Sequence, residues 1–124
     1  MEHYVYTAFR TFSPLHTELK GHVTTSFSQI KDTMPKIPFS GFDGTGEVIG
    51  IEHFKDADVT VALINCDGVI SRHAELMASG LEYEYELRPH ITLCRGGDSS
   101  DRYAHLVGAT VNVGSEYIGF MTRT

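Results

Sequence analysis

The sequence predicts an α+β fold, a mostly antiparallel sheet with helices packed on one side. Segments rich in β-branched and aromatic residues outnumber helical ones along the 124 residues. Two of them, Glu47–Phe54 and Asp58–Asn65, flank the short turn Lys55–Ala57 and are typical of an antiparallel hairpin. Val69–Ser79 is the longest segment with apolar residues at helical spacing. No linker or low-complexity stretch interrupts the chain, so we expect one domain over residues 1–124.

The first part of the chain predicts two strands, a helical turn and a long loop. Tyr4–Arg10 and His22–Phe27 have strand composition. Between them, Pro14–Lys20 begins with proline at an early helical position and ends at a glycine, which favours a short helical turn. Residues 31–46 contain prolines and glycines and form an irregular loop. A loop of this length is either functional, for instance a lid, or a mobile surface connection.

The second part predicts a capped helix followed by further strands. Asp67 is a candidate N-cap for the helix, and Gly80 stands where a C-terminal glycine is favoured. After the helix, the composition predicts three more elements. These are a strand over Tyr85–Cys94, a helical turn over residues 101–107, and a strand pair or one long bent strand over Ala109–Met121.

The charge balance restricts the classes of partner. Ten Lys and Arg stand against sixteen Asp and Glu, for a net charge of −6, without a basic cluster. Long nucleic acids are held mainly by neutralising many phosphates, so we expect no long DNA or RNA partner. One or two phosphates need only a few local donors, so a small anionic ligand remains compatible with the sequence.

Several features predict a cytoplasmic protein without a membrane partner. No apolar run approaches the roughly 20 residues that span a bilayer. The N-terminus lacks the basic and apolar regions of a secretory signal. Cys66 and Cys94 fit reduced core thiols better than a disulfide framework, and no Cys/His spacing resembles a zinc site.

A His-x-Thr pair occurs twice, in two predicted strands far apart in the sequence. The copies are His22-Val23-Thr24 and His90-Ile91-Thr92. Residues i and i+2 of a strand point to the same face, so each His shares a face with its Thr. Val23 and Ile91 then point to the opposite face, and we expect Phe27 and Leu93 to follow them there. If the two strands are neighbours, one cleft holds two imidazoles and two hydroxyls.

Two histidines facing one phosphodiester form an acid–base pair. The unperturbed imidazole pKa of about 6.5 suits both removal of a proton from the attacking oxygen and protonation of the leaving oxygen. Threonine hydroxyls can donate hydrogen bonds to non-bridging phosphate oxygens. This arrangement requires no metal and no cofactor. The alternative interpretation is two separate histidines at strand ends, each bonded to a backbone partner, because His-x-Thr alone recurs by chance.

The stretches His22-Val23-Thr24-Thr25 and His90-Ile91-Thr92-Leu93 resemble the two signature motifs of the 2H phosphoesterases. The resemblance covers most of the chain. It implies two pseudo-symmetric lobes with helices on the outside and a central cleft. It also implies metal-independent action on 2′,3′-cyclic phosphates and on short 2′–5′ or 3′–5′ linked nucleotides.

A more particular pattern is similar to a branch of that family, the small bacteriophage anti-CBASS proteins, which cleave cyclic oligonucleotide second messengers of the host. The matching residues are the run Ser71–Leu76, Gly80, Tyr83, Pro89–Leu93 and Ser115–Tyr117. The resemblance implies His22 and His90 as the acid–base pair, with Thr24 and Thr92 holding the phosphate.

In the same branch, a first-strand tyrosine and a C-terminal acidic residue help to seat the nucleobase. Tyr4 and Glu116 match these positions best, with Tyr6 as an alternative on the face of Tyr4. The chain departs from the branch in its short segment before the first motif and in its lack of tryptophan. Base stacking must therefore fall to Tyr or Phe.

The leading hypothesis is a metal-independent phosphodiesterase that cleaves 3′–5′ bonds of cyclic di- or trinucleotides. It would counteract CBASS signalling in the cytoplasm of the host cell. One alternative is an RNA-end 2′,3′-cyclic phosphodiesterase, which would favour a basic groove. Another is a non-catalytic sponge for cyclic nucleotides, which needs no titrating histidines. A structural protein would leave the matched motifs unexplained.

Overall fold

The computed structural model describes residues 1–123, which form one six-stranded antiparallel sheet in the order β2-β1-β6-β3-β4-β5. The strands are β1 (Glu2–Phe12), β2 (Gly21–Gln29), β3 (Asp43–Phe54), β4 (Val59–Asn65), β5 (His90–Arg95) and β6 (Thr110–Arg123). The helices are α1 (Asp67–Ala78) and the single turn α2 (Ser100–Tyr103), with 3₁₀ turns at Thr17–Leu19 and Ala104–Leu106. Among these residues, no helix is long and apolar enough to cross a membrane.

The continuous sheet corrects the fold class expected from the sequence. We expected a two-lobed α+β fold with helices on the outside, and this expectation is wrong. The fourteen-residue strand β6 pairs with β1 along its length and with β3 through Thr110–Gly114. It thereby joins the two halves of the chain into one sheet. Only α1, with twelve residues, is a helix of ordinary length, so the molecule is mostly β.

Element boundaries differ from the sequence-based expectations at several points. For the last segment, the second of the two expected alternatives is confirmed, since it is one long strand, bent at Ser115, which adopts a left-handed φ of 52°. The fifth strand begins at His90 and lacks residues 85–89. Cys66 caps α1 without a side-chain hydrogen bond, so Asp67 is the first helical residue and not the cap.

The core lies on the face of the sheet opposite the histidines. It includes Phe9, Val23, Ile91 and Val111, which are all 0% exposed. Val23 and Ile91 occupy the central positions of the two His-x-Thr motifs. Strand alternation at these positions therefore follows the prediction, and burial of both side chains holds the motif strands in register.

The two motif strands are the opposite edges of the sheet, yet they lie against each other. A methyl group added at Gly21 would lie 3.2 Å from Cγ2 of Ile91. The sheet is therefore curved until its edges meet at the residues next to His22 and His90. The absence of a side chain at Gly21 permits this close approach.

The loop that precedes β3 packs on α1 and β6. Arg72 donates a hydrogen bond to the carbonyl of Pro38 (2.7 Å), and the Ser40 N–H donates to the Glu116 carboxylate (2.8 Å). None of residues 31–46 lines the cleft that contains His90. The loop position therefore does not favour a lid over that cleft.

Candidate functional site

The edges of the sheet border a cleft of about 850 Å³. Thr24 from β2 and His90 and Thr92 from β5 line it. Its other walls are the β3–β4 turn over residues 52–57 and the segment Tyr83–Glu86. Three of the four residues predicted to catalyse are thus in one cavity. His22, two residues before Thr24 on the same face, lies beside it.

His22 is held by aromatic contacts. Its ring centroid is 6.2 Å from that of Tyr6 and 6.2 Å from that of Tyr117, the latter edge to face. Partial burial lowers the pKa of His22, and the positive charge of His90 lowers the pKa further. The geometry agrees with this effect, because the strands that carry His22 and His90 lie against each other.

His90 is fixed by a hydrogen bond and a ring contact. Its Nδ1 lies 2.7 Å from the carbonyl oxygen of Arg88, and its ring meets that of Phe54 at 4.9 Å. Because a carbonyl only accepts, Nδ1 carries the proton and Nε2 is left for a substrate. Burial lowers the pKa of His90, while the hydrogen bond to Arg88 opposes this shift. The alternative interpretation expected each histidine to be hydrogen-bonded to a backbone partner. Among the described residues, only His90 has such a partner.

A one-residue β-bulge follows the first motif. Strand β1 pairs Ala8 with Thr24 but pairs Thr7 with Ser26, so Thr25 is the extra residue. The bulge reverses the alternation of side chains beyond it. The prediction that Phe27 points to the core is wrong for this reason. Phe27 lies on the cleft side instead.

The second motif is followed by a bulge at the same position. Strand β4 pairs Val61 with Thr92 and Thr60 with Cys94, leaving Leu93 extra. Because of this bulge, Cys94 packs against the core instead of continuing the face of His90 and Thr92. Hydrogen bonds, chiefly with Ser99, lower the pKa of its thiol. Leu93 packs against the core as predicted.

Two predicted substrate-binding residues stand on the cleft face. The ring of Tyr4 stacks on that of Phe27 at 4.9 Å, and Tyr6 lies 6.4 Å from the same ring. The guanidinium of Arg123 lies 4.9 Å from the Tyr4 ring centroid and 4.8 Å from that of Phe27. Tyr6 lies over Gly119, where any side chain would collide with its ring. These residues form an aromatic surface next to His22.

Glu116 lies away from this surface. Its carboxylate is 1% exposed and pairs with Nε of Arg72 at 2.8 Å and with Nη2 at 2.9 Å. In the strand register it lies opposite the core residue Phe9, because the bend at Ser115 shifts the pairing. The structure does not bring Glu116 together with the histidines, and this position gives no support to a nucleobase contact.

Two residues that sequence reasoning did not assign stand next to His22. Tyr117 contacts His22 and Tyr6 edge to face, and burial together with a hydrogen bond to Tyr6 raises its pKa. Arg10 lies directly across from His22, with its guanidinium 4.3 Å from the Tyr117 ring centroid. Alternation from a Glu116 placed at the site would put Tyr117 on the opposite face, so only the pairing of Tyr117 with Ala8, which lies across from Thr24, reveals its position.

The charges around the cleft are balanced. The basic lining residues are Lys55, Arg88, Arg95 and Arg123, and the acidic ones are Glu52, Asp56, Glu84 and Glu86. Arg88 pairs with Glu52 at 2.5 Å and Arg123 with Glu84 at 2.9 Å. Within residues 1–123, no three His, Cys, Asp or Glu side chains are grouped as metal ligands.

A protein-family model described as "Anti-CBASS protein Acb1" matches residues 8–121. The chain belongs to this anti-CBASS family. The match contains both His-x-Thr strands and runs from β1 to β6. Membership of the anti-CBASS family indicates a function in phage-related evasion of CBASS immunity. Comparison with curated proteins and with solved structures gives no match.

Proposed function

We propose that this anti-CBASS chain is a two-histidine phosphodiesterase of the 2H type that cleaves 3′–5′ bonds of cyclic di- or trinucleotides. One observation carries the proposal. The two His-x-Thr strands, which are opposite edges of one sheet, meet at Gly21 and Ile91, the residues next to His22 and His90, and place Thr24, His90 and Thr92 in one cleft. Separate structural histidines would have no reason to converge in this way.

The proposed reaction moves one proton at each end of an in-line displacement. One neutral imidazole removes the proton of the ribose 2′-OH, and the oxygen attacks phosphorus to form a 2′,3′-cyclic phosphate. The bond from phosphorus to the 5′-oxygen breaks, and the other, protonated imidazole donates its proton to that oxygen. Thr24 and Thr92 donate hydrogen bonds to the non-bridging oxygens, where charge increases in the transition state. Water attack on the cyclic phosphate, with the proton path reversed, then leaves a terminal phosphate.

The cleft favours a small nucleotide over the end of an RNA. Its volume of about 850 Å³ is within the usual range for small-ligand sites. The partly exposed rings of Tyr6 and Phe27 offer a surface for a base. Balanced charges suit a ligand with few phosphates, whereas an RNA groove would be basic. Cyclic di- and trinucleotides fit this combination better than the RNA-end alternative.

The decisive experiment incubates the purified chain with 3′–5′ cyclic di- and trinucleotides in the presence of EDTA. His22→Ala and His90→Ala are compared with His105→Ala, a surface histidine paired with Glu18 outside the cleft. We expect linear products from the wild type and His105→Ala, and losses of at least about 10²-fold for the other two variants. Intact nucleotide bound equally by the wild type, His22→Ala and His90→Ala would indicate a sponge instead.

The substrate 2′-OH provides a second test. A cyclic dinucleotide with 2′-deoxyribose next to the scissile phosphate lacks the proposed nucleophile, so it should bind without turnover. Cleavage of this analogue at a rate near that of the ribose substrate would rule out the route through a 2′,3′-cyclic phosphate. Turnover confined to RNA ends that already carry a cyclic phosphate would favour the RNA-end enzyme.

A further inference from the structure

The bulge after the first motif leaves a buried backbone carbonyl to be satisfied. Thr25 is 0% exposed. The extra residue of a bulge is outside the regular ladder of hydrogen bonds. A buried carbonyl without a partner is costly, so the Thr25 oxygen needs a donor from elsewhere in the protein.

His73 of α1 supplies that donor. Its Nδ1 lies 2.7 Å from the Thr25 carbonyl oxygen, and because the carbonyl only accepts, Nδ1–H donates. The His73 ring also meets the Tyr83 ring edge to face at 5.4 Å. Thr24, next to the bulge, and Tyr83 both line the cleft, whereas His73 does not. His73 therefore contacts both the strand that carries Thr24 and the segment that carries Tyr83, without itself lining the cleft.

The side chains of the bulge are held from the other direction by β1. The Thr7 hydroxyl is 2.7 Å from that of Thr25 and 2.6 Å from that of Ser26. The Thr25 hydroxyl also donates to the Thr7 carbonyl at 3.2 Å. The hydroxyl cluster and His73 together fix the bulge, and therefore the direction in which Thr24 leaves the strand.

The second bulge is held differently. Within residues 1–123, no side chain donates a hydrogen bond to the carbonyl of Leu93. Any effect of His73 on the site should therefore act on the first motif and spare Thr92. This difference between the motifs separates a role in positioning Thr24 from a general contribution to packing.

We propose that His73 is a positioning residue that acts through the Thr25 bulge to aim the Thr24 hydroxyl into the cleft. The proposal rests on the proposed phosphodiesterase function, in which Thr24 holds the phosphate. The contact with the bulge carbonyl assigns His73 to the site without contact with substrate.

The test compares variants that keep or remove the donor. His73→Leu removes it, whereas His73→Asn places an amide nitrogen near the position of Nδ1. Folding is verified by circular dichroism and thermal melting, and kcat and KM are measured on a cyclic dinucleotide. We expect His73→Leu to lower kcat roughly tenfold with little change in KM, since misplaced groups impair the transition state most. His73→Asn should recover most of the loss. If His73→Leu does not fold, His73→Gln replaces it, because its amide extends beyond the Nδ1 position.

A double-mutant cycle identifies the residue through which His73 acts. In a Thr24→Val background, removal of the His73 donor should cause no further loss, whereas in Thr92→Val the roughly tenfold loss should persist in full. Equal losses in both backgrounds, or an unchanged kcat in His73→Leu, would overturn the positioning role while leaving the phosphodiesterase intact. No turnover by the wild type would instead contradict the proposed function, and the positioning role with it.

Discussion

His22 and His90 differ in how the protein holds them. The hydrogen bond from Nδ1 to the Arg88 carbonyl sets both the tautomer and the ring direction of His90. His22 is oriented by the rings of Tyr6 and Tyr117. Ring contacts limit tilt but leave the choice of tautomer open, so any bound ligand should have more influence on His22 than on His90.

The two histidines predict an acidic optimum for turnover. Burial lowers the pKa of both below the ordinary value of about 6.5. An acid–base pair needs one protonated and one neutral imidazole. When the pH is above the lowered pKa of both residues, neither imidazole of the free protein is protonated. The profile of kcat/KM against pH should therefore peak below about 6.5, while kcat peaks higher because bound phosphate stabilises the charged imidazole. An optimum for kcat/KM above pH 7 would contradict this prediction.

The buried pair Arg72–Glu116 predicts that Glu116 matters for stability. Removing one charge of a buried pair leaves the other uncompensated, so Glu116→Gln should lower the free energy of unfolding by roughly 3 kcal/mol. Glu75→Gln removes the exposed partner of Arg72 and should cost much less. Denaturant unfolding measures both. A normal stability with a raised KM for nucleotide would show instead that Glu116 binds the base.

At the scale of elements, the bulges decide which side chains face the cleft. Without the extra residue at Thr25, Phe27 would continue the face of Val23 and lie toward the core. With it, Phe27 stacks on Tyr4 beside the site. A single inserted residue thus moves the side chain from the core face to the cleft face, because strand side chains alternate with a period of two.

The contact between the edge strands should be sensitive to side-chain size at Gly21. A methyl group there would lie 3.2 Å from Cγ2 of Ile91, so Gly21→Ala should be tolerated with a small loss of kcat. Gly21→Val should separate β2 from β5 and lower kcat by at least about tenfold. Gly50→Ala is the matched control, since its methyl group would make an ordinary contact with Leu63 at 3.7 Å. Full activity of a folded Gly21→Val would mean that the close approach is dispensable.

At the scale of the whole molecule, the balanced cleft and the net charge of −6 predict discrimination against polymers. An excess of long single-stranded RNA, counted by phosphate, should not inhibit cleavage of a cyclic dinucleotide, because few cations are free to neutralise a backbone. A chromatographic cleavage assay with added RNA measures this directly. Inhibition by stoichiometric RNA would support the RNA-end alternative.

Much of the site was predictable because its chemistry depends on residue type and local spacing. The i, i+2 pairs His22/Thr24 and His90/Thr92 define shared faces in any strand, and burial of Val23 and Ile91 agrees with that alternation. Tyr4 and Tyr6 follow the same rule on β1. The roles of Tyr117, Arg10 and His73 were not predictable, because each depends on a neighbour that is far away in the sequence.

By itself, the sequence determined which side chains are the candidates for the proposed chemistry, that the chain is rich in strands, and where the one long helix lies. These properties follow from side-chain chemistry and local periodicity. Only the tertiary structure decided that β6 joins the strands into one sheet, that the edges of that sheet meet, and that Glu116 faces Arg72. Strand pairing and bulges are set by contacts between distant segments, and one extra residue reverses every side chain beyond it.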